Sequence, residues 1–272
     1  MNIGFIGMGN LAAAILKGIL QSNILNARSI YAYDIDAKKL TLSAHKLGYN
    51  AASSSKELVS KCDMIFLAVK PADLPQLLQE IKSELKAKRP VLVSTAAGTS
   101  SDFIQKQLGY DAALVRIMPN INATIGRSMT AYCSNSRVSD EQAGMVEKIL
   151  STFGKVMKLE EEYFSMFTAI AGSGPAFAYM FIDELARAGV KIGLNKDLAL
   201  EIAAQTVLGS AKLILESKQH PYELIDNVCS PGGTTIEGVS VLRELGFANA
   251  VSKAVEHTYE KDIRLSEKNK EV

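Results

Sequence analysis

The chain has 272 residues, 47% of them hydrophobic and 22% charged, which is the balance of a packed globular protein and excludes a disordered one. A formal net charge of +1 gives no bulk electrostatic reason to bind nucleic acid or an anionic membrane, so neither is expected as a partner. Cys62, Cys133 and Cys229 are odd in number and widely spaced, which suits reduced thiols in a cytoplasmic protein better than a disulfide frame or a zinc site, and no metal is expected.

Met1 leads directly into "NIGFIG", without the charged and then long apolar stretches of a secretion leader, and no run approaches the length of a membrane span. Short runs rich in Ile, Val, Phe and Tyr predict strands over residues 2–6, 29–34, 63–69, 90–95 and 113–118, with helices between them over 11–21, 37–47 and 72–85. Near-continuous apolar strands alternating with helices predict an α/β, doubly wound, mostly parallel sheet covered on both faces. Residues 128–133 and 155–159 extend that sheet.

The acidic "EEEYF" at 160–164 reads as a helical junction, dividing the chain into 1–160 and 161–272. Beyond it Phe177, Met180, Phe181, Leu185 and Ala188 recur at helical spacing, and Leu198, Ile202, Leu208, Ala211 and Leu215 continue the pattern. Helices apolar on most faces need a cover, and about 110 residues make a thin core, so a second copy of the chain is expected against them. The polar end "SEKNKEV" is expected to fray.

Within "GFIGMGNLAAAIL", Gly7-x-Gly9-x-x-Ala12 follows the first strand and opens a helix, fitting the dinucleotide fingerprint with Ala in the third place. The first glycine permits the tight turn, the second lets backbone approach a pyrophosphate, and the helix start offers unpaired N–H groups. The second strand ends in "YAYDID". Asp34, ahead of Asp36, can accept hydrogen bonds from the adenosine ribose and repel a 2′-phosphate, whereas Lys38 and Lys39 can meet that phosphate instead. All four also suit a solvated turn, and NADH against NADPH stays open. "AVKP" (68–71) and "STAAG" (94–98) end the third and fourth runs, where loops can approach the nicotinamide end, and Lys70 suits either a charge partner or a solvated strand end.

"VCSPGGTTIEG" at 228–238 concentrates turn chemistry in the helical half. It reads either as a plain helix break or as a turn into a helix whose N–H groups, behind capping threonines, can bind a carboxylate. "GSGPAF" is a second helix start of that kind, equally readable as a sharp bend between packed helices, with Pro175 near the first helical position. His45, His220 and His257 neighbour none of these motifs, so no acid–base histidine is expected.

Taken together, "GFIGMGNLA", "AVKP", "RIMPN" (116–120), "AGSGPAF" (171–177) and "CSPGGTTIEG" (229–238) resemble the pyrroline-5-carboxylate reductase family, in order and spacing, across practically the whole chain. The resemblance implies a Rossmann-like domain followed by an all-helical dimerisation domain, with dimers often joining into larger rings. It implies reduction of 1-pyrroline-5-carboxylate to L-proline by NADPH or NADH. The family's nucleotide loop falls on Ile6, Gly7, Met8, Gly9, Asn10 and Leu11. Its nicotinamide-side contacts fall on Ala68, Val69, Lys70 and Pro71 and on Ala96, Ala97 and Gly98, with a contact near the adenosine at Ser55. Its substrate loop falls on Ser230, Gly232, Gly233, Thr234 and Thr235, with Thr235 approaching the ring nitrogen and Ser173 counted on the substrate side. Asp34 departs from the small polar residue of NADP-preferring members.

A protonated imine is a strong electrophile, and its reduction needs position and one hydrogen bond more than a base. The absence of a motif histidine therefore suits an imine, and Thr235 can orient its nitrogen or relay a proton, the site being expected to close across an oligomer interface. A β-hydroxyacid dehydrogenase shares the opening motif and a helical second domain but requires a helix lysine, for which Lys191 and Lys212 are the nearest candidates. A dinucleotide-binding sensor needs only the nucleotide half.

Overall fold

A computed structural model describes residues 1–268. The first elements in chain order are β1 (Ile3–Ile6), α1 (Asn10–Ser22), β2 (Ile30–Tyr33), α2 (Ala37–Leu47), β3 (Asn50–Ala51), α3 (Ser55–Lys61), β4 (Met64–Leu67) and α4 (Leu74–Lys88). They continue with β5 (Val91–Ser94), α5 (Ser101–Leu108), β6 (Leu114–Met118), β7 (Ser128–Ser134), α6 (Asp140–Ser151) and β8 (Gly154–Lys158). Among the described residues one sheet runs in the order β3-β2-β1-β4-β5-β6-β7-β8. β1 to β6 are parallel, β7 runs antiparallel to β6, and β8 follows β7. Chain direction across the sheet reverses between β1 and β4, and a cleft opens outside the carboxyl ends of strands at such a switch point.

Every strand expected from the apolar runs is present, each within two residues of its expected limits. Side chains alternate between two cores. Ile3, Phe5, Met64, Phe66, Val93, Val115 and Ile117 face α1 and α6, and Phe5 stacks on Phe66 with ring centroids 4.9 Å apart. Ile6, Ile65, Leu67, Leu92 and Leu114 face α3, α4 and α5. Period-two alternation with both faces apolar is why the strands read as continuous hydrophobic runs.

Beside the expected division after residue 160, packing draws a compact unit that extends further. Phe164 is buried against Met118 and Ala131 at the end of the sheet, so residues 161–173 belong with the first unit. This segment holds a helical turn α7 (Phe164–Phe167) and then a π-turn, Thr168–Gly172. By compactness one unit comprises Met1–Ser173 with the chain from Tyr259, and the other comprises Gly174–Thr258.

The second unit is helical throughout. α8 (Gly174–Lys191) and α9 (Lys196–Ser217) pack through Ala186, Ala199, Ala203 and Ile182. α10 (Pro221–Val228), α11 (Thr234–Glu244) and α12 (Phe247–Lys268) follow. Small alanines leave little apolar area inside, while Met180, Ile192, Leu208 and Leu215 stay more than 60% exposed. Glu161–Lys191 and Lys196–Ser217 are long and apolar enough to cross a membrane by length and composition, contrary to the sequence expectation. Asp183, Glu184, Arg187, Glu201 and Lys212 interrupt the runs and hide that length in the sequence. Of the tail "SEKNKEV", residues 266–268 close α12 and the rest lies outside the described residues.

Candidate active site

The loop between β1 and α1 sits where the switch point requires. The parallel ladder runs past the strand ends: the Gly7 N–H donates to the Tyr33 carbonyl at 2.8 Å and the Ala68 N–H to the Ile6 carbonyl at 2.8 Å. Gly7 has φ +93, and a Cβ on it would stand 2.6 Å from the Ala68 carbonyl oxygen. No L side chain fits that angle or that gap. A Cβ on Gly9 would instead meet nothing within 4 Å, so this backbone faces open space. Gly9 caps α1 without a side-chain hydrogen bond, leaving the first-turn amides of Asn10 and Leu11 free of a side-chain cap. An uncapped helix start beside an open glycine has the donor set and the room that a pyrophosphate needs.

Asp34 accepts two backbone hydrogen bonds. Its Oδ2 accepts the Met8 N–H at 2.6 Å and its Oδ1 accepts the Asp36 N–H at 2.9 Å. The carboxylate thus ties the nucleotide loop to the end of β2, keeping one further lone pair on each oxygen. Asp34, Lys39 and Ser43 line a recess of about 130 Å³ together with Met8, Gly9 and Asn10. Asp36 lies outside it and caps α2, accepting the Lys39 N–H at 3.0 Å.

Ala68, Val69, exposed Lys70 and Pro71 follow β4, and Ala96, Ala97 and Gly98 follow β5, all at the same carboxyl edge of the sheet. Ser55 is a correction. Its side chain is fully buried and its hydroxyl donates to Glu80 on α4, so it presents no hydroxyl to the cleft.

A second cavity of about 400 Å³ opens beside α1, lined by Asn10 and Leu11, by Met118 and Asn120 past β6, and by Thr168 and Ser173 around the π-turn. Ser173 therefore shares a cavity with the nucleotide loop. Asn120 and the π-turn escaped the residue-level reading. The signal for Asn120 was present in "RIMPN", since an Asn after Pro at a strand end suits a fixed polar corner. The π-turn leaves no sequence signature.

Ser230, Gly232, Gly233, Thr234 and Thr235 belong to the second unit. The Gly233 N–H donates to the Ser230 carbonyl at 3.0 Å, closing a tight turn whose third residue, Gly232, takes φ +67. The sequence reading of the threonines as capping residues is corrected here. Gly233 is the N-cap, with no side-chain bond, and Thr234 and Thr235 are the first two residues of α11. A glycine cap blocks nothing, so the first amides of α11 and the exposed Thr235 hydroxyl stand at one helix start. A helix start left open in this way has the donors to receive a carboxylate, with a hydroxyl beside them.

Cys62, Cys133, His220, Lys191 and Lys212 line neither cavity. Burial pushes the Cys62 and Cys133 thiols up to about 12. His220 caps α10, its Nδ1 accepting the Tyr222 N–H at 3.2 Å. Lys191 and Lys212 are exposed helix residues, and Lys212 pairs with Glu216 at 3.6 Å. Among the described residues no cluster of His, Cys, Asp and Glu is arranged to hold a metal.

A doubly wound sheet with a glycine-rich switch-point loop, an open helix start and a helical second unit defines a dinucleotide-dependent oxidoreductase. Residues 161–265 match the family description "Pyrroline-5-carboxylate reductase dimerisation", and residues 2–98 match "NADP oxidoreductase coenzyme F420-dependent". The chain is 40% identical to the pyrroline-5-carboxylate reductase of Aquifex aeolicus over 265 residues, covering 97% of each chain. It is 40% identical to that of Escherichia coli over 264 residues, covering 97% of this chain and 98% of the relative. A crystal structure of Plasmodium falciparum pyrroline carboxylate reductase with NADP bound superposes with a TM-score of 0.88 at 33% identity, covering 98% of both chains. The chain belongs to the pyrroline-5-carboxylate reductase family.

Gly7→Ala forces a Cβ into the Ala68 carbonyl. We expect dinucleotide affinity to fall at least about 100-fold, or roughly 3 kcal/mol, in a fluorescence titration with NADH. Affinity within about twofold of wild type contradicts this placing of the loop.

Proposed function

We propose that the chain reduces 1-pyrroline-5-carboxylate to L-proline with NADPH or NADH, the last step of proline biosynthesis. The observation that carries this is the 40% identity to reductases of that name along 97% of the chain. NAD(P)H, when bound, supplies the hydride that adds to the C=N carbon of the protonated imine, leaving NAD(P)⁺ and the secondary amine of proline.

In this reading Ile6 to Leu11 hold the pyrophosphate, supported by the open Gly9 face and the uncapped start of α1. Ala68 to Pro71 and Ala96 to Gly98 flank the nicotinamide end. The substrate carboxylate is received by the turn from Ser230 to Thr235, with Ser173 on the substrate side. Thr235 donates to or orients the ring nitrogen, which accounts for a site without a catalytic histidine.

For cofactor choice, Asp34 favours the ribose diol of NADH, while Lys39 and Ser43 in the same recess can hold the 2′-phosphate of NADPH. The exposed apolar faces of the second unit are read as covered by a second copy, and not by a membrane. The support is the dimerisation description matched over 161–265 and a groove of about 570 Å³ lined by Phe177, Met180, Phe181, Leu185 and Phe247. We infer a homodimer, with rings of dimers as its further assembly, working in the cytoplasm, where the free thiols Cys62, Cys133 and Cys229 remain reduced.

The test is oxidation of NADPH and NADH, followed at 340 nm, on addition of 1-pyrroline-5-carboxylate, with proline as product. A folded, oligomeric sample inert with both cofactors sinks the assignment. Thr235→Ala should lower kcat about 10- to 100-fold with cofactor affinity intact, whereas lost cofactor affinity would mean the residue is misplaced. Asp34→Ser should raise the NADPH:NADH ratio of kcat/KM about tenfold, and an unchanged ratio removes Asp34 from specificity.

A further inference from the structure

Residues 161–173 pair with no strand, yet β6 and the residues just past it hold them at both ends. At the beginning, the buried Arg116 donates from Nη1 to Glu161 Oε1 at 2.9 Å and lies over the Phe164 ring, 4.7 Å from its centroid. The same Glu161 oxygen accepts the Ser101 N–H at 2.8 Å. At the other end, Asn120 donates from Nδ2 to the Ala171 carbonyl at 2.9 Å, inside the π-turn. The turn is closed by the Ser173 N–H donating to the Thr168 carbonyl at 2.9 Å.

Asn120 is itself held from two sides. Its Oδ1 accepts the Asn122 N–H at 3.2 Å, and its own N–H donates to Ser128 Oγ at 3.1 Å. The amide plane is therefore fixed before it reaches Ala171, and its orientation follows from donors and acceptors that cannot be exchanged. The π-turn residues Thr168 and Gly172, with Ser173, form one wall of the 400 Å³ cavity, and Asn10 and Leu11 at the start of α1 form another. π-turns are rare and concentrate at functional sites, where they displace one residue from helical register.

We propose that Asn120 is a positioning residue for the reduction. Its side-chain amide hangs the π-turn from the end of β6, and so sets the spacing between the Gly172–Ser173 wall and the helix start that carries the cofactor. Arg116 anchors the beginning of the same segment and is structural. This rests on reading the cavity as the place where nicotinamide and imine meet. Displacing a wall by about 1 Å is enough to cost a large factor in rate, because hydride transfer depends on near-attack geometry.

Asn120→Asp keeps the size and the acceptor for Asn122 but sets a carboxylate oxygen against the Ala171 carbonyl, with no donor between them. Three readouts are taken on the full-length oligomer: steady-state kinetics, NADH binding by fluorescence, and hydrogen exchange of the amides of residues 169–173. The expected result is a fall of about 10- to 100-fold in kcat/KM for 1-pyrroline-5-carboxylate, with NADH affinity within about twofold of wild type and faster exchange confined to the π-turn. Kinetics equal to wild type overturn the proposal, as does a loss of NADH affinity in step with kcat/KM. If Asn120→Asp does not fold, Asn120→Ser, too short to span to Ala171, is measured in the same three ways, and the same results support or overturn the proposal. Wild-type protein that binds NADH but leaves the imine unreduced overturns the reading beneath the proposal. That outcome is distinct from failure of the tether, in which wild type turns over and the variant matches it.

Discussion

At the carboxyl edge of the sheet the backbone of the first loop must lie almost in contact with the backbone leaving β4, and that close approach governs the rest of the site. Gly7 meets the Ala68 carbonyl at a distance no Cβ allows, at a φ that L side chains rarely adopt. With the two loops in contact, α1 begins directly above the switch point and its uncapped amides face outwards. Asp34 then pins Met8 from the β2 side, so three strand ends fix the position of one helix start. The electrostatics of this helix start follow from that placement, since a helix start attracts an anion only where its first amides are left open.

The second unit obeys a different constraint. α8 and α9 meet through alanines, which brings them close but buries little apolar area, and large apolar side chains face outwards. Such helices are unfinished as a single copy, in keeping with the dimerisation description that residues 161–265 match. The turn before α11 solves a local problem of the same family as the first loop. Glycine stands where a capping side chain would otherwise occupy the first amides, and Thr235 brings a hydroxyl to them. The glycine-capped starts of α1 and α11, one in each unit, both leave their first amides without a side-chain cap.

Much of this was legible in the residues because the signals were local. Strands buried on both faces read as apolar runs, and the glycine spacing of the first loop carries its own geometric reason. Helices α3, α5 and α6 carry a local signal too, since Ser54, Ser100 and Ser139 cap them, the last in a full capping box with Gln142. β3 is a two-residue edge pair, too short for any periodicity to register. What escaped reading depended on partners distant in sequence. Nothing near Ser55 announces that Glu80, 25 residues on, takes its hydroxyl, and nothing near Asn120 points to Ala171. The packing of Phe164 onto the sheet is of the same kind, since it is visible only through Met118 and Ala131.

The central claim is a direct transfer from the nicotinamide ring to the C=N carbon of a bound pyrroline carboxylate. Turnover with NAD(P)H deuterated at one face of C4, followed by NMR of the proline formed, tests it most directly. The account predicts one deuterium at the ring carbon bonded to nitrogen and remote from the carboxylate, from one face of the nicotinamide only. Proline without deuterium from either face, or with label spread to other carbons, would contradict it.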